Sequence, residues 1–266
     1  MNLRTSFKSG DRKLGILNFS GSPKIIELSG IAGFDFVIID TEHTTATWET
    51  VDHMILAAKA IGLPALVRVG TPDEGEILRA LDCGADGIVI SHVSTAHAAT
   101  RAVAGALYPP RGIRGMCPAI RPVRYGEIAW HDHAAASNER MLIICLIEDK
   151  EGLDNIDDIC AVDGVDVIWC GSGDLSQSLG IKHSGLEHPL MREAMTKIRD
   201  ACSKNDKIFM ATAGSKPTAE YVNELWDFGA PIVSLAPDLM LIRNAFAETV
   251  TRLRRLAPEA PHSMSR

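Results

Sequence analysis

The 266-residue chain lacks the features that mark membrane, secreted and nucleic-acid-binding proteins. It has no run of 18 apolar residues, and residues 1–15 have mixed charge where a secretory signal would have an apolar core. Asp and Glu outnumber Lys and Arg by 34 to 27, whereas proteins that read nucleic acid usually carry basic patches. We therefore expect a soluble, cytoplasmic protein with no nucleic-acid or membrane partner.

Cysteine spacings typical of zinc sites are also missing. The six cysteines show no C-x-x-C pair, and three of them lie in or beside apolar runs. We expect free, mostly buried thiols rather than metal ligands or disulfides. Aromatic residues make up only 5% of the chain, so those present are expected, with Met, in the core.

Eight short apolar runs alternate along the chain with segments of helical period. The predicted strands lie near residues 14–18, 35–39, 64–69, 87–90, 141–147, 165–170, 207–212 and 231–235. The predicted helices lie near residues 22–32, 48–61, 73–82, 95–106, 152–161, 187–204, 216–227 and 238–255. Runs that are apolar throughout indicate strands covered on both faces. This alternation favours an α/β fold, a TIM (β/α)8 barrel with residues 1–266 as a single domain, over an open doubly wound sheet.

Three similar phrases indicate turns from a helix into the next strand. They are Ala32-Gly33-Phe34-Asp35, Cys83-Gly84-Ala85-Asp86 and Phe228-Gly229-Ala230-Pro231, in which glycine is expected to end the helix. The longest segment without a predicted strand or helix spans residues 108–139. Loops of this length are more often functional than idle, so we expect this one to have a function.

Four side chains of catalytic type each fall at the end of a different apolar run. They are His43, Arg68, Glu148 and Asp174. The chemistry of a barrel enzyme lies at the carboxyl ends of several strands, so these four groups should converge. A guanidinium in the barrel mouth needs an anionic partner, and a histidine there can transfer protons near neutral pH.

The carboxylate pair is the sharpest chemical signal. Glu148 and Asp174 are separated by one β/α unit, which places them on adjacent strand ends, where they can hold Mg²⁺ or Mn²⁺. The alternative is that Glu148 pairs with Lys150 and that Asp174 caps a short helix. Residues 171–176 expose backbone N–H groups that suit a small carboxylate, or they form a simple glycine-rich loop.

With these residues in place, the chain resembles the HpcH/HpaI aldolases, metal-dependent pyruvate aldolases on TIM barrels. The similarity covers roughly residues 12–250. The matching phrases are Gly33-Phe34-Asp35, Ile39-Asp40-Thr41-Glu42-His43, Val67-Arg68, Ala80-Leu81-Asp82-Cys83-Gly84-Ala85-Asp86-Gly87-Ile88, Tyr108-Pro109-Pro110-Arg111-Gly112-Ile113-Arg114-Gly115, Ile147-Glu148, and Gly164-Val165-Asp166 through Gly171-Ser172-Gly173-Asp174-Leu175-Ser176.

The resemblance implies a role for each matched residue. Glu148 and Asp174 would bind Mg²⁺, Mn²⁺ or a similar ion such as Co²⁺, and the backbone of Gly173 and Asp174 would bind the carboxylate of a 2-oxo acid. Arg68 would stabilise the developing enolate oxygen, and His43 would be the base. The implied reaction is reversible cleavage of a 4-hydroxy-2-oxo acid into pyruvate and an aldehyde, without a Schiff-base lysine.

The resemblance also implies a carboxylate that raises the basicity of His43, and the motif match places it at Asp82. The predicted topology puts Asp82 at the opposite end of the barrel, so it would act from a neighbouring subunit of a homo-oligomer. The family resemblance suggests a hexamer built from dimers. Asp40, three residues before His43, is the alternative orienting group.

Two positions depart from the family pattern. Leu146 stands where a glutamine is common, which removes a hydrogen-bond donor expected to contact the oxo acid, and Ser172 stands where proline is common. On the aldehyde side, Arg121 in the segment 120–125 is expected to meet a polar or carboxylate group of the substrate, with a surface arginine as the alternative.

Two further functions stay open from the sequence. Related barrels of the citrate lyase β and malyl-CoA lyase type act on CoA thioesters with a similar carboxylate pair. A noncatalytic barrel that binds an oxo acid is the third interpretation, because Leu146 and Ser172 alter the site. The short chain and the Asp-Thr-Glu-His phrase favour the aldolase.

Overall fold

A computed structural model describes residues 2–214 and 217–256, which form a closed barrel of eight parallel strands. The strands are β1 (Lys13–Asn18), β2 (Phe36–Asp40), β3 (Ala65–Val69), β4 (Gly87–Ile90), β5 (Leu142–Ile147), β6 (Val167–Cys170), β7 (Ile208–Thr212) and β8 (Ile232–Pro237). Each strand pairs with the next in the chain, and β8 pairs with β1. The prediction of a single-domain TIM barrel is confirmed, and the open sheet is excluded.

Helices connect the strands around the outside of the barrel. They are α1 (Leu3–Lys8), α2 (Pro23–Ile31), α3 (Trp48–Ala60), α4 (Glu74–Asp82), α5 (Ala96–Ala106), α6 (Trp130–Arg140), α7 (Lys150–Asp154), α8 (Ile156–Cys160), α9 (Ser172–Ser178), α10 (Pro189–Lys204), α11 (Ala219–Phe228) and α12 (Asp238–Leu256). No helix in the described part of the chain is long and apolar enough to cross a membrane.

The predicted helices agree with the structure, apart from one that is divided and one that begins outside the described residues. The predicted helix 152–161 is two short helices, α7 and α8. The start of the predicted helix 216–227 lies partly outside the described residues. Residues 108–139 are not one irregular loop, because they contain a 3₁₀ helix, Arg121–Gly126, and most of α6. The buried residues of α6 are His133, Ser137 and Asn138, so this helix has no apolar stripe for the sequence to reveal.

The three glycine turns form as predicted. Gly33, Gly84 and Gly229 have φ angles of +96°, +97° and +109°, a left-handed conformation that costs glycine little. Each turn leads the chain from a helix into β2, β4 or β8. The six cysteines are free thiols, four of them buried, which confirms the expectation of buried thiols instead of disulfides.

The barrel interior is a packed apolar column that is closed at its amino end by α1. Phe7 of α1 is 1% exposed, and its ring meets that of Phe36 edge to face at 5.1 Å. The Phe36 ring in turn occupies the space beside Gly15, where an added Cβ would lie 2.2 Å from a ring carbon. At the carboxyl end the interior layer includes Leu146 and Trp169, so the active-site end of the barrel has an apolar floor.

A buried carboxylate ties the last helix to the first strand. Asp238, 2% exposed at the start of α12, accepts hydrogen bonds from the Asn18 side chain at 2.8 Å and from the backbone N–H groups of Phe19 and Ser20 at 2.8 and 3.2 Å. This clamp fixes the loop after β1. It thereby holds the Phe19 ring beside the guanidinium of Arg68, 5.6 Å from the ring centroid.

Helix α1, which closes the amino end of the barrel like a plug, should stabilise the barrel measurably. Truncating a buried phenylalanine typically costs about 3–5 kcal/mol. We expect Phe7→Ala to lower the free energy of unfolding in guanidinium by about that amount. Leu28→Ala, which truncates a side chain that is 57% exposed on α2, should change it by less than about 0.5 kcal/mol. Equal effects of the two substitutions would contradict the role of α1 as a plug.

Candidate active site

Acidic and basic side chains gather at the carboxyl ends of β2 to β5. Asp40 is the last residue of β2, and Arg68 lies opposite it in β3. Glu42 follows β2, His92 follows β4 and Glu148 follows β5. The parallel register brings these loops side by side, as expected for the catalytic end of a barrel.

Arg68 is anchored by the anionic partner that the sequence required. Its Nε lies 2.5 Å from Asp40 Oδ1, and its Nη1 lies 3.5 Å from Glu42 Oε2. The arginine side chain is 8% exposed and the Asp40 side chain is fully buried. The other oxygen of Asp40 accepts the backbone N–H of His43 at 2.8 Å. One carboxylate therefore orients both the guanidinium and the loop that carries His43.

His92 lies between two carboxylates and was missed by the sequence reasoning. Its Nε2 is 2.9 Å from Glu42 Oε1, its Nδ1 is 3.0 Å from Glu148 Oε1, and its backbone N–H donates to the same Glu148 oxygen at 2.7 Å. The residue has φ +53°, a left-handed conformation that is uncommon outside glycine. The signal was available, since His92 follows the apolar run Gly87-Ile88-Val89-Ile90 just as His43 follows its own.

Glu42 is the second residue that the sequence reasoning left without a role. Its side chain is 10% exposed and accepts a hydrogen bond from the Ser91 hydroxyl at 2.6 Å. Its carboxylate also contacts Arg68, His92 and, at 3.7 Å, the Nε2 of His43. Glu42 therefore links the arginine, both histidines and the end of β4 in one network.

Glu148 is a buried carboxylate whose pose depends on a neighbouring glycine. Burial raises the pKa of Glu148, and the negative charges of Glu42 and Asp174 raise it further, while the N–H and the charge of His92 lower it. A Cβ at Gly171 would lie 2.8 Å from the Glu148 Cβ, so only glycine fits beside it. The alternative pairing with Lys150 does not form, because that lysine binds Asp154.

The donor atoms at this end fit a divalent cation. One ligand atom from each of Glu42, His92 and Glu148 lies within 4.8 Å of the other two, which gives two oxygens and one nitrogen. Such a set suits Mn²⁺, Co²⁺ or Zn²⁺ as well as Mg²⁺. Asp174 lies outside this compact group but close enough for its charge to act on Glu148. The possible metal site therefore includes more residues than the predicted pair of carboxylates.

Asp174 and Gly173 occupy the first turn of α9, on the strand end next to Glu148. Asp174 is exposed, and the space above Gly173 is open, with no atom within 4 Å of an added Cβ. The first N–H groups of a helix have no partner within it. Below this turn Leu146 is 2% exposed and contributes only apolar surface, so the donor that glutamine would offer there is absent.

His43 stands at the rim of the site. Its side chain is 56% exposed, and its ring lies 6.3 Å from that of Phe19. Asp40, the alternative orienting group, bonds the backbone of His43, while the carboxylate nearest the imidazole is that of Glu42. The imidazole is therefore accessible from solvent.

Asp82 and Arg121 lie at the opposite, amino end of the same barrel. Asp82 ends α4 and accepts a hydrogen bond from Arg114 Nη2 at 2.8 Å. Arg121 pairs with Asp52 of α3 at 2.5 Å. The structure of one chain brings neither residue to His43, as the topology predicted for Asp82. The segment 120–125 likewise does not line this chain's own site.

The chain is similar to known proteins of one family. Residues 14–245 match the family model described as HpcH/HpaI aldolase/citrate lyase. The chain is 34% identical to the 5-keto-4-deoxy-D-glucarate aldolase of Shigella boydii serotype 18, over 88% of each protein. It is 32% identical to the 2-dehydro-3,6-dideoxy-6-sulfogluconate aldolase of Pseudomonas putida, over 93% of this chain and 95% of that one.

Solved structures agree with this relationship. An HpcH/HpaI aldolase from Desulfitobacterium hafniense superposes with a TM-score of 0.90 at 28% identity, covering 98% of this chain and 100% of that one. The citrate synthase SbnG superposes with a TM-score of 0.85 at 30% identity, covering 96% and 98%. The prediction of an aldolase-type carbon–carbon lyase is confirmed: this chain belongs to the HpcH/HpaI aldolase/citrate lyase family.

Proposed function

We propose that this protein is a divalent-metal-dependent aldolase that reversibly cleaves a 4-hydroxy-2-oxo acid into pyruvate, or a related 2-oxo acid, and an aldehyde. The observation that carries the proposal is the buried Arg68 beside the cluster Glu42, His92 and Glu148, at the catalytic end of a barrel from an aldolase family. We also place the protein in the cytoplasm.

The residues that would hold the cation are Glu148 and Asp174, with His92 and Glu42 on the opposite flank. The poorly exposed carboxylates of Glu42 and Glu148 repel each other, and a cation beside them would offset that repulsion. A divalent ion bound there would polarise the carbonyl of a 2-oxo acid and offset the charge that develops on its oxygen. Mg²⁺ and Mn²⁺ suit the carboxylates, and His92 extends the choice to Co²⁺.

Arg68 is the residue that would stabilise the developing negative oxygen. Asp40 holds its Nε, so the orientation of the guanidinium is fixed before substrate arrives. Preorganised donors of this kind contribute strongly in a site with little water. The first turn of α9, at Gly173 and Asp174, would bind the carboxylate of the 2-oxo acid through its backbone N–H groups, above the apolar floor at Leu146.

The reaction needs one proton transfer at each end of the broken bond. His43, directly or through a water, would take the proton from the 4-hydroxyl of the substrate. The C3–C4 bond then breaks, C4 becomes the aldehyde carbon, and the bonding electrons pass to the 2-oxo group as an enolate, which Arg68 stabilises. A proton delivered to C3 completes pyruvate. Addition of the enolate to an aldehyde is the reverse path.

We propose that Asp82 of a neighbouring subunit raises the basicity of His43. Asp82 lies at the amino end of its own barrel, so this role requires a second chain, and we propose a homo-oligomer, a hexamer of three dimers. Arg121 shares this end with Asp82, so contact with the aldehyde part of the substrate would likewise come from the neighbour.

The proposal is tested by the exchange of pyruvate methyl protons with D₂O, followed by NMR. Wild-type protein resupplied with Mn²⁺ or Mg²⁺ should exchange these protons, and metal-free protein should not. Glu148→Gln should abolish exchange and weaken metal binding. Glu151→Gln, a matched change at an exposed position of α7, should alter neither. If the folded, metal-loaded wild-type protein exchanges no protons, the pyruvate assignment is contradicted. Activity with acetyl-CoA and glyoxylate would then indicate a thioester lyase. Binding of an oxo acid without turnover would indicate a noncatalytic barrel.

Arg68 should act on the chemical step because the forked N–H donors of its guanidinium are held in a fixed orientation. Removing a preorganised oxyanion donor typically costs about 10²–10³-fold in rate. We expect Arg68→Lys, which keeps the charge but not the fork, to slow pyruvate exchange at saturating pyruvate by about 10²-fold while Mn²⁺ binding is retained. Arg79→Lys, on the exposed face of α4, is the control. An unchanged rate in Arg68→Lys would remove Arg68 from the mechanism.

His92 should affect which metal is bound. An imidazole nitrogen favours Zn²⁺ more than Mg²⁺, which prefers oxygen ligands. In titration calorimetry of the metal-free protein we expect His92→Gln to weaken Zn²⁺ binding at least tenfold and Mg²⁺ binding much less. His97→Gln, an exposed histidine of α5, should change neither affinity. Equal losses for the two metals would show that His92 only positions Glu148.

A further inference from the structure

Within the described residues, the layer of helices leaves one part of the barrel's outer face uncovered, at β1 and β8. The apolar side chains that β2 to β7 turn outward are buried, and Val37, Val67 and Ile168 are fully so. Leu14 of β1 and Leu235 of β8 also face outward but are only partly buried. Because β1 and β8 are paired neighbours, these two side chains mark a single gap.

A groove of about 250 Å³ lies over this gap. Leu14 and Leu235 form its floor, and α11 forms one wall through Ala219, Val222 and Trp226. The indole N–H of Trp226 is buried without a hydrogen-bond partner in the part of the chain that the structure describes. In a barrel of this type a helix follows each strand and packs outside it, so the helix after β8 is expected in this groove.

Helix α12, which follows β8, begins at the gap and then leaves the barrel. Asp238 is buried in its first turn, and Leu241 packs against the core. Residues 245–255 are all exposed, over a length of about 16 Å at 1.5 Å per residue. Residues 238–256 include no glycine or proline, which are common causes of a sharp bend in a helix. The helix therefore extends into solvent and leaves its own groove open.

The exposed part of α12 carries an apolar stripe. Its members Phe246, Val250 and Leu253 are 68%, 46% and 58% exposed. Their spacing of four and three residues places them on one side of the helix. Single exposed apolar residues are common, but three large ones in succession, on a helical segment that packs against no other described residue, indicate a binding surface.

The charges of the stripe-bearing helix and of the groove wall are complementary. The last two turns of α12 carry three basic residues that form no ion pair in the described part of the chain, namely Arg252, Arg254 and Arg255. Helix α11 carries no basic residue and three acidic ones, namely Glu220, Glu224 and Asp227. Glu224 and Asp227 form exposed ion pairs, which are weak, and Glu220 forms none among the described residues. Opposite charges of this kind set the orientation of a bound helix.

We propose that α12 of one chain binds in the groove of a second copy of this chain, and that the second copy's α12 fills the groove of the first. The groove needs an occupant with an apolar face and positive charge, and α12 provides both. An unbroken α12 does not enter its own groove, so a second copy supplies the helix. Reciprocal exchange buries both stripes in a closed pair. The inference does not depend on the proposed aldolase activity.

Sedimentation velocity of the full chain tests the exchange. We expect the wild-type protein to sediment at an even multiple of the chain mass. Phe246→Glu/Val250→Glu should raise the dissociation constant of the assembly by at least about tenfold, because a buried charge without a partner is costly. The control Ala247→Glu/Thr251→Glu adds the same charge to exposed positions of α12 outside the stripe and should leave the constant unchanged. All four positions are exposed in a single chain, so circular dichroism should show that both variants are folded.

Mixing two defective variants distinguishes a helix in a groove from two helices in contact. Ala219→Arg/Asn223→Arg obstructs the rim of the groove and should weaken assembly as much as the stripe variant does. A chain with an intact helix and an obstructed groove can still bind the intact groove of a stripe variant. An equimolar mixture should therefore recover assembly that neither variant shows alone.

Four results would overturn the inference. They are a wild-type protein that sediments as a single chain, a stripe variant that assembles as tightly as wild type, a control variant that is weakened equally, and a mixture that recovers no assembly. The last of these would show that α12 contacts another α12 instead of the groove.

Discussion

The site depends on the charge balance among three carboxylates and one guanidinium at the carboxyl ends of four adjacent strands. Asp40, Glu42 and Glu148 are buried or nearly so, and burying charges without partners is costly. Arg68 neutralises the first two, and His92 contacts the second and third. Burial raises the pKa of Glu148, and the negative charges of Glu42 and Asp174 raise it further, so this flank of the network favours a divalent cation.

The barrel makes this arrangement possible by supplying rigid positions for groups that repel one another. Parallel strand register sets Arg68 beside Asp40, and a glycine at position 171 leaves room for Glu148. The clamp from Asp238 to the loop after β1 holds Phe19 next to Arg68. The apolar interior below excludes water from the floor of the site. Each of these constraints is structural, yet each fixes the position of a group that the chemistry requires.

Much of this could be predicted from the sequence, because strands buried on both faces are visible as apolar runs and their ends are where function is expected. His43, Arg68, Glu148 and Asp174 follow that rule. His92 obeys it as well but was overlooked, since Ser91-His92 ends a run of only four residues and its left-handed backbone has no sequence marker. The helix α6 was missed because it buries polar residues. The partners of His92 depend on side-chain packing between loops distant in sequence, which periodicity cannot show.

The proposed function requires that Glu148 and its neighbours bind a cation that holds a 2-oxo acid beside Arg68. Crystals grown with Mn²⁺ and oxalate, a mimic of the enolate of pyruvate, test it by anomalous diffraction. We expect one manganese peak in contact with the Glu148 carboxylate, with oxalate between the metal and Arg68. Manganese bound elsewhere, or oxalate bound away from Arg68, would contradict it.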